Sequence, residues 1–269
     1  MNYHIDILVL VIYIMIIVFV QIKLIFPLSL LTGLYEWELD LGLEVGGILG
    51  IADTNLMVAC TNKQYQTIWL SLNVATGKEI WRRNLQISYG GTYAFNEDKT
   101  SIFYLHAGGV WLNGIQVARG NNLFREINTK DGSVRREGVL WQLDEAGFGI
   151  HSCTLYEGFI YFTAVYKSFG ATVLGVLDYE TLSLLWWEEV KMDEADGFGN
   201  FFLNQPLQVA ENKIYVLDKT HVLHIYERDD TKPYQKPIKS GLMPFEYLPI
   251  PESPTQNEPY YPTNDDLPF

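Results

Sequence analysis

The sequence predicts an all-β fold built from a four-stranded antiparallel unit that repeats about four times. Three observations carry that reading. A six-residue turn segment returns at a nearly constant interval, short apolar strands alternate with polar turns across the repeat region, and a tryptophan-bearing strand follows the turn in several copies.

The turn segments align without gaps. They are Leu72-Asn-Val-Ala-Thr-Gly77, Ile127-Asn-Thr-Lys-Asp-Gly132, Leu177-Asp-Tyr-Glu-Thr-Leu182 and Ile225-Tyr-Glu-Arg-Asp-Asp230. Their starts are separated by 127 − 72 = 55, 177 − 127 = 50 and 225 − 177 = 48 residues. Each places an apolar residue at the end of a strand and then polar residues suited to a turn, usually with Gly, Asn or Asp where φ turns positive. The next strand begins Ile80-Trp81-Arg82-Arg83, Val134-Arg135-Arg136 or Leu185-Trp186-Trp187-Glu188. Earlier strands repeat as well. A polar turn precedes a strand at Ala52-Asp53-Thr54-Asn55, Asn96-Glu97-Asp98-Lys99, Tyr156-Glu157-Gly158 and Ala210-Glu211-Asn212.

The run Leu72 to Trp81 (LNVATGKEIW) resembles the Leu-Asp-Ala-x-Thr-Gly-Lys-x-x-Trp signature of PQQ-like, quinoprotein-type propeller repeats. The third copy keeps Leu177, Asp178, Thr181 and Trp186 but carries Leu182 in place of glycine, and the second replaces the tryptophan with Arg136. The resemblance covers about residues 35 to 228 and implies a small β-propeller at 34–230, of its non-enzymatic, protein-binding branch. Within it, Gly77 and Gly132 are structural turn residues. Trp37, Trp81 and Trp186 are structural residues that wedge neighbouring blades, since a large ring buries about 150–250 Å².

The fourth copy supplies three strands, near 207–209, 213–217 and 222–226, and prolines then forbid a central strand. The segment 35–41 aligns with 79–85 and puts Trp37 at the tryptophan position. It is therefore expected to complete the last blade and close a four-bladed ring, removing an exposed edge. Five blades, or an open arc, remain as alternatives.

Residues 1–33 form the hydrophobic segment. Ile7 to Val20 is an unbroken apolar run of 14 residues; extended from Ile5 to Phe26 it reaches membrane-spanning length as a helix that Pro27 ends. An anchor, a signal peptide without a basic start or A-x-A site, and a segment buried in the fold or lying beyond a misplaced start are the three readings. Membrane association through this segment is the expectation, and Lys23 only weakly points to the cytoplasmic side. Residues 231–269 form a Pro-rich extended tail. From Asp229 onward lie nine of the eleven prolines, so this stretch either stays solvated or wraps the propeller through Phe245, Tyr247, Tyr260 and Tyr261.

A hydrophobic content of 48% suits a sizeable core. A net charge of −13 with no basic stripe argues against nucleic acid as a partner. Two cysteines, Cys60 and Cys153, leave either one disulfide or two buried thiols and offer no Cys-x-x-Cys ligand set. The spacing His221-x-x-His224 points two side chains to opposite faces of a strand, which is poor for a shared metal. No metal or cofactor is expected. Larger quinoprotein rings hold their cofactor with adjacent cysteines, which this chain lacks.

Two contact hypotheses remain. Asp144/Glu145 and Asp193/Glu194 open similar stretches in successive copies and would gather carboxylates on one propeller face for a cation or a basic partner, unless they only solvate a loop. The second-copy insertion, 108–122, carries Trp111 and Arg119, residue types that anchor interfaces. The function expected is a non-catalytic binding or scaffold module for a protein partner. A toxin-neutralising, immunity-type protein is the first alternative and a PQQ-dependent dehydrogenase the second.

Overall fold

The structure, a computed structural model, describes residues 14–17, 24–29, 37, 39–63, 66–88, 91–107, 110–112, 115–119, 122–166, 171–189, 207–218, 221–228, 240–244 and 246–247. They are almost wholly β-structure, in antiparallel sheets. The chain divides into two compact units, Met1–Tyr89 with Thr129–Ser133, and Gly90–Asn128 with Val134–Phe269.

In the first unit, β1 (Ile14–Ile17), β2 (Leu24–Ser29) and β3 (Leu39–Asp40) form one sheet. A four-stranded meander follows: β4 (Glu44–Ala52), β5 (Asn55–Thr61), β6 (Gln66–Asn73) and β7 (Glu79–Ser88). Its buried residues Val45, Leu56, Val58, Cys60, Ile68, Leu70 and Leu72 pack with Trp37, Leu39 and Leu41.

Two expectations are corrected here. The hydrophobic segment contains strands where a spanning helix was expected, and Pro27 lies inside β2 opposite Ile16. Among the described residues no helix is long and apolar enough to cross a membrane. A run of Ile, Val, Phe and Tyr is as much a strand-former as an apolar helix, and periodicity alone does not separate the two. The second correction concerns ring closure. Leu39 and Asp40 pair with Ile25 and Leu24 of β2, not with a strand of the fourth copy. A strand partner about 15 residues away costs far less loop-closure entropy than one nearly 200 residues away.

Among the described residues the second unit holds four sheets. The first joins β8 (Thr92–Phe95), β9 (Ser101–His106), β12 (Leu123–Asn128) and β13 (Val134–Leu140). Between β9 and β12 the insertion forms a hairpin of β10 (Val110–Leu112) and β11 (Ile115–Arg119). A short helix α1 (Trp141–Ala146) leads into β14 (Phe148–Tyr156), β15 (Phe159–Tyr166), β16 (Ala171–Asp178) and β17 (Leu184–Glu189), the second sheet. A third contains β18 (Gln208–Ala210), β19 (Lys213–Leu217) and β20 (Leu223–Glu227). The tail is not wholly free of pairing. β21 (Leu242–Met243) extends the first of these sheets beside β13, and β22 (Glu246–Tyr247) pairs with β11 to make the fourth.

One contact recurs through both units. In the first, the Trp37 indole N–H donates to the Val74 carbonyl at 2.8 Å, and Trp81 donates to Thr129 at 3.0 Å. In the second, Arg136 Nη1 donates to the carbonyls of Tyr179 and Glu180, each at 2.9 Å. Val74, Thr129 and Tyr179 are the third residues of the three aligned turns. Asn73 Oδ1 and Asp178 Oδ1 brace two of those turns by accepting from Thr76 and Thr181, backbone and hydroxyl. The sixth residue takes a left-handed conformation in all three: Gly77 at φ +69°, Gly132 at +71° and Leu182 at +58°.

Glycine and leucine are not interchangeable there. A Cβ on Gly77 would lie 2.6 Å from the Trp37 ring, and one on Gly132 2.7 Å from Trp81. Where Arg136 replaces the tryptophan, the flat ring is gone, and Leu182 occupies the sixth position and buries its side chain in the core. The two departures from the repeat thus occur at the two ends of one contact, the donor and the turn it caps. Arg136 brings a charge with it, and Glu126 answers it: Nε donates to Oε2 at 2.7 Å, while Ser101 and the Tyr179 hydroxyl donate to Oε1 at 2.5 and 2.9 Å.

These contacts predict three stability effects. Gly77→Ala and Gly132→Ala should each destabilise by about 1–3 kcal/mol, because a side chain meets both a positive φ and an indole. Leu182→Gly restores the repeat consensus yet should also destabilise, by about 2 kcal/mol, through its lost burial. Urea denaturation midpoints of the three variants read both effects.

A pH effect follows from Glu126. Burial pushes its carboxyl up, but the bonds from Ser101, Arg136 and Tyr179 outweigh burial and hold it below the ordinary glutamate value. The unfolded chain therefore binds the proton more readily, so this contribution is present above the unfolded value near about 4.3 and is lost as pH falls through the folded one. Glu126→Gln should flatten the acid limb of stability against pH; an unchanged limb would show that Glu126 does not contribute to it.

Candidate functional site

The third sheet of the second unit places its apolar residues on two unequal faces. Strand alternation sends Ile214, Val216, His224 and Tyr226 one way. Ile214 and Val216 are buried with Tyr161, Leu174, Val176 and Leu207, and half-buried Trp186 and Tyr226 pack against that cluster. On the other face the ladder pairs Leu217 with Leu223, Tyr215 with Ile225, and Lys213 with Glu227. Leu223 and Ile225 are 53% and 56% exposed, and Val222 in the turn before them is 52% exposed.

Among the described residues β20 has one strand neighbour, β19, whereas the sheet β14–β17 carries a fourth, outer strand. The last repeat thus presents an apolar strip beside an open backbone edge. Such an edge offers main-chain donors and acceptors to another strand, and the strip offers side-chain contacts on the same side. The turn below it is well braced. Asp218 Oδ1 accepts from the Val222 amide at 2.9 Å, and Asp218 Oδ2 lies 2.8 Å from His224 Nε2.

The residues singled out in the sequence are placed unevenly. Trp37 and Trp81, aligned with each other in the sequence as blade-wedging residues, each donate an indole N–H to the third residue of a turn. Trp186 packs in the cluster with Tyr161 and Ile214, and its neighbour Trp187 meets Phe148 edge-on at 4.9 Å. Trp111 and Arg119 lie in the two strands of the insertion hairpin, where Arg119 stands opposite Glu246 of the tail. Their side chains are outside the described set.

Asp144 and Glu145 fall on α1, not on the loop expected for them. Their segment, WQLDEA, consists mainly of good helix formers, buries Leu143, and ends on Gly147 at φ +74°. Asp193 and Glu194 lie outside the described residues, so the proposed gathering of carboxylates has one described half. The strip on β20 was missed in the sequence reading. Its signal was available, because Leu223 and Ile225 share one face of a strand that prolines follow in the sequence.

Other chemistry is sparse. Among the described residues no group of three or more His, Cys, Asp or Glu side chains could hold a metal ion. His221 sits in the turn at φ +66° and His224 on β20, so they are not two faces of one strand. Cys60 and Cys153 are both buried free thiols, not a disulfide, and burial pushes each up to about 12.

No protein-family model matches the sequence, and no curated protein matches it. Among solved structures the chain is similar to Hsv2 of Kluyvelomyces marxianus, with 12% identity over 88% of this chain and 63% of that one, at a TM-score of 0.54. It is also similar to BamB of Moraxella catarrhalis, with 13% identity over 77% of this chain and 53% of that one, at a TM-score of 0.49. The chain spans less than two thirds of either protein. With its four-stranded antiparallel sheets, the likeness to Hsv2 makes this a fold of the β-propeller class.

The two thiols provide a check on the packing. Neither should react with a thiol reagent at pH 8 in the native protein, since their thiolate population is negligible there. Both should react on unfolding; rapid native labelling of either would contradict its burial.

Proposed function

We propose that the protein is a non-catalytic binding module, a propeller-type scaffold that engages a protein partner through the open face of its last sheet. The observation that carries this reading is the strip of Val222, Leu223 and Ile225, each more than half exposed, beside a strand edge that has no strand neighbour among the described residues. Exposed apolar side chains clustered on one edge are costly in a free surface and are a usual mark of an interface. The net charge of −13 would steer encounter toward a partner of basic character.

The finer architecture belongs to the same proposal. The sheet β1–β3 ends in β3, which Trp37 shortly precedes in the chain, and Trp37 caps a turn as Trp81 does. The repeat is then read as five units rather than four, with β1–β3 as the first and β18–β20 as the last. In this reading the hydrophobic segment contributes a repeat unit instead of an anchor.

The test replaces Leu223 and Ile225 together by Glu. Substitutions at exposed positions should move stability by no more than about 0.5 kcal/mol each. The partner recovered with the wild-type chain after cross-linking should be lost with the double variant, and its cross-links should map to 213–227. Undiminished recovery, with cross-links elsewhere, would refute the assignment. A thermal shift with PQQ and calcium together should leave the transition unmoved; a clear rise would restore the dehydrogenase reading.

A further inference from the structure

The tail segment Ser240–Met243 occupies a groove shaped for an extended peptide. Gly241 is the fitted residue. Its amide donates to the Thr181 carbonyl at 2.9 Å, and its own carbonyl accepts from the Trp141 amide at 3.3 Å. A Cβ at this position would overlap the Leu182 carbonyl. The groove wall also makes room: Gly138 of β13 faces the Met243 carbonyl, where a Cβ would again overlap backbone. The Trp141 indole N–H closes over the segment by donating to the Ser240 carbonyl at 3.0 Å. Leu242 is half-buried against the core cluster, while Met243 is 51% exposed.

Among the described residues the strand pairing of this segment is short. β21 pairs with β13 through two residue pairs, Val139 with Met243 and Leu140 with Leu242, and β22 pairs with β11 through two more. The ladders within the four-stranded sheets run to five or more pairs. Pro244 then lacks the N–H needed to continue the ladder. A groove with strict steric demands is thus filled by a segment that joins the sheet through only two residue pairs among the described residues.

We infer that this groove is a peptide-binding site, distinct from the strip on β20 and not dependent on it. Its ligand is an extended segment of a partner protein carrying glycine followed by an aliphatic residue. The tail of this chain holds the site closed as a competing, displaceable occupant. Binding in this mode adds a strand to the β13 edge, so main-chain bonds supply affinity while the Gly241 and Leu242 positions supply selectivity.

The experiment uses the full chain with the strap unseated. Gly241→Val introduces the side chain that the Leu182 carbonyl excludes, and Leu242→Asp, as a second variant, withdraws the half-buried aliphatic group without altering the groove. A dye-labelled peptide with the sequence of residues 238–248 is titrated by fluorescence anisotropy into wild type and both variants, with thermal unfolding as the folding control. Removing a competing occupant raises apparent affinity by the inverse of the open fraction, so each folded variant should bind at least about tenfold more tightly than wild type. A peptide carrying the Gly241→Val change should not bind.

Three results would overturn the inference. They are no binding to a folded Leu242→Asp chain, equal binding to wild type and variants, or equal binding of the valine peptide. A wild-type dimer that the peptide dissociates would assign the groove to the tail of a second copy and likewise overturn it. Retained binding to the Leu223/Ile225 double variant separates this site from the one on β20.

Discussion

The structure depends on one repeated contact: a donor side chain on a strand or just ahead of one, seated on the carbonyl of a turn whose sixth residue is left-handed. Trp37 on Val74, Trp81 on Thr129 and Arg136 on Tyr179 are three instances of the same geometry. The turn needs the positive φ to fold back after the strand. The flat indole then needs the absence of a Cβ beneath it, so turn and donor select each other. Strand ladders hold each sheet together, but this contact links a strand to a turn about 40 residues away and gives the repeat its register. Its arginine form requires a buried counter-charge, which Glu126 supplies.

Much of this was legible in the sequence. The turn period, the equivalence of Trp37 with Trp81 and the three strands of the last repeat follow from alternation and turn chemistry, both local properties. The sequence also marked Arg136 and Leu182 as departures. It could not show that Arg136 donates to the turn that ends in Leu182, since more than 40 residues separate them and no local rule links them. The hydrophobic segment misled for a different reason. Residues 7–20 are uniformly apolar and carry no period, so length became the arbiter, and length favours a membrane helix over a pair of strands.

The tail was only half legible. Its prolines exclude a central strand, and the structure agrees, because β21 and β22 are two-residue edge strands on either side of Pro244. What sequence could not reveal is that Gly241 has a seat. Glycine in a Pro-rich stretch reads as solvated chain, and only the Leu182 carbonyl above it shows a steric requirement. The candidate sites divide along the same line. The strip on β20 could be derived from alternation plus the prolines that follow it, whereas the groove at Trp141 is assembled from two stretches of chain, 138–141 and 181–182, that are distant in sequence.

The measurement that reaches the central claim most directly is a double-mutant cycle between Trp81→Leu and Gly132→Ala, followed by equilibrium unfolding. If the indole is what forbids a Cβ at 132, the cost of the alanine should shrink in the leucine background, with a coupling of about 1 kcal/mol or more. Additive costs would mean that ring and turn are independent, and the contact described here would not be what sets the repeat.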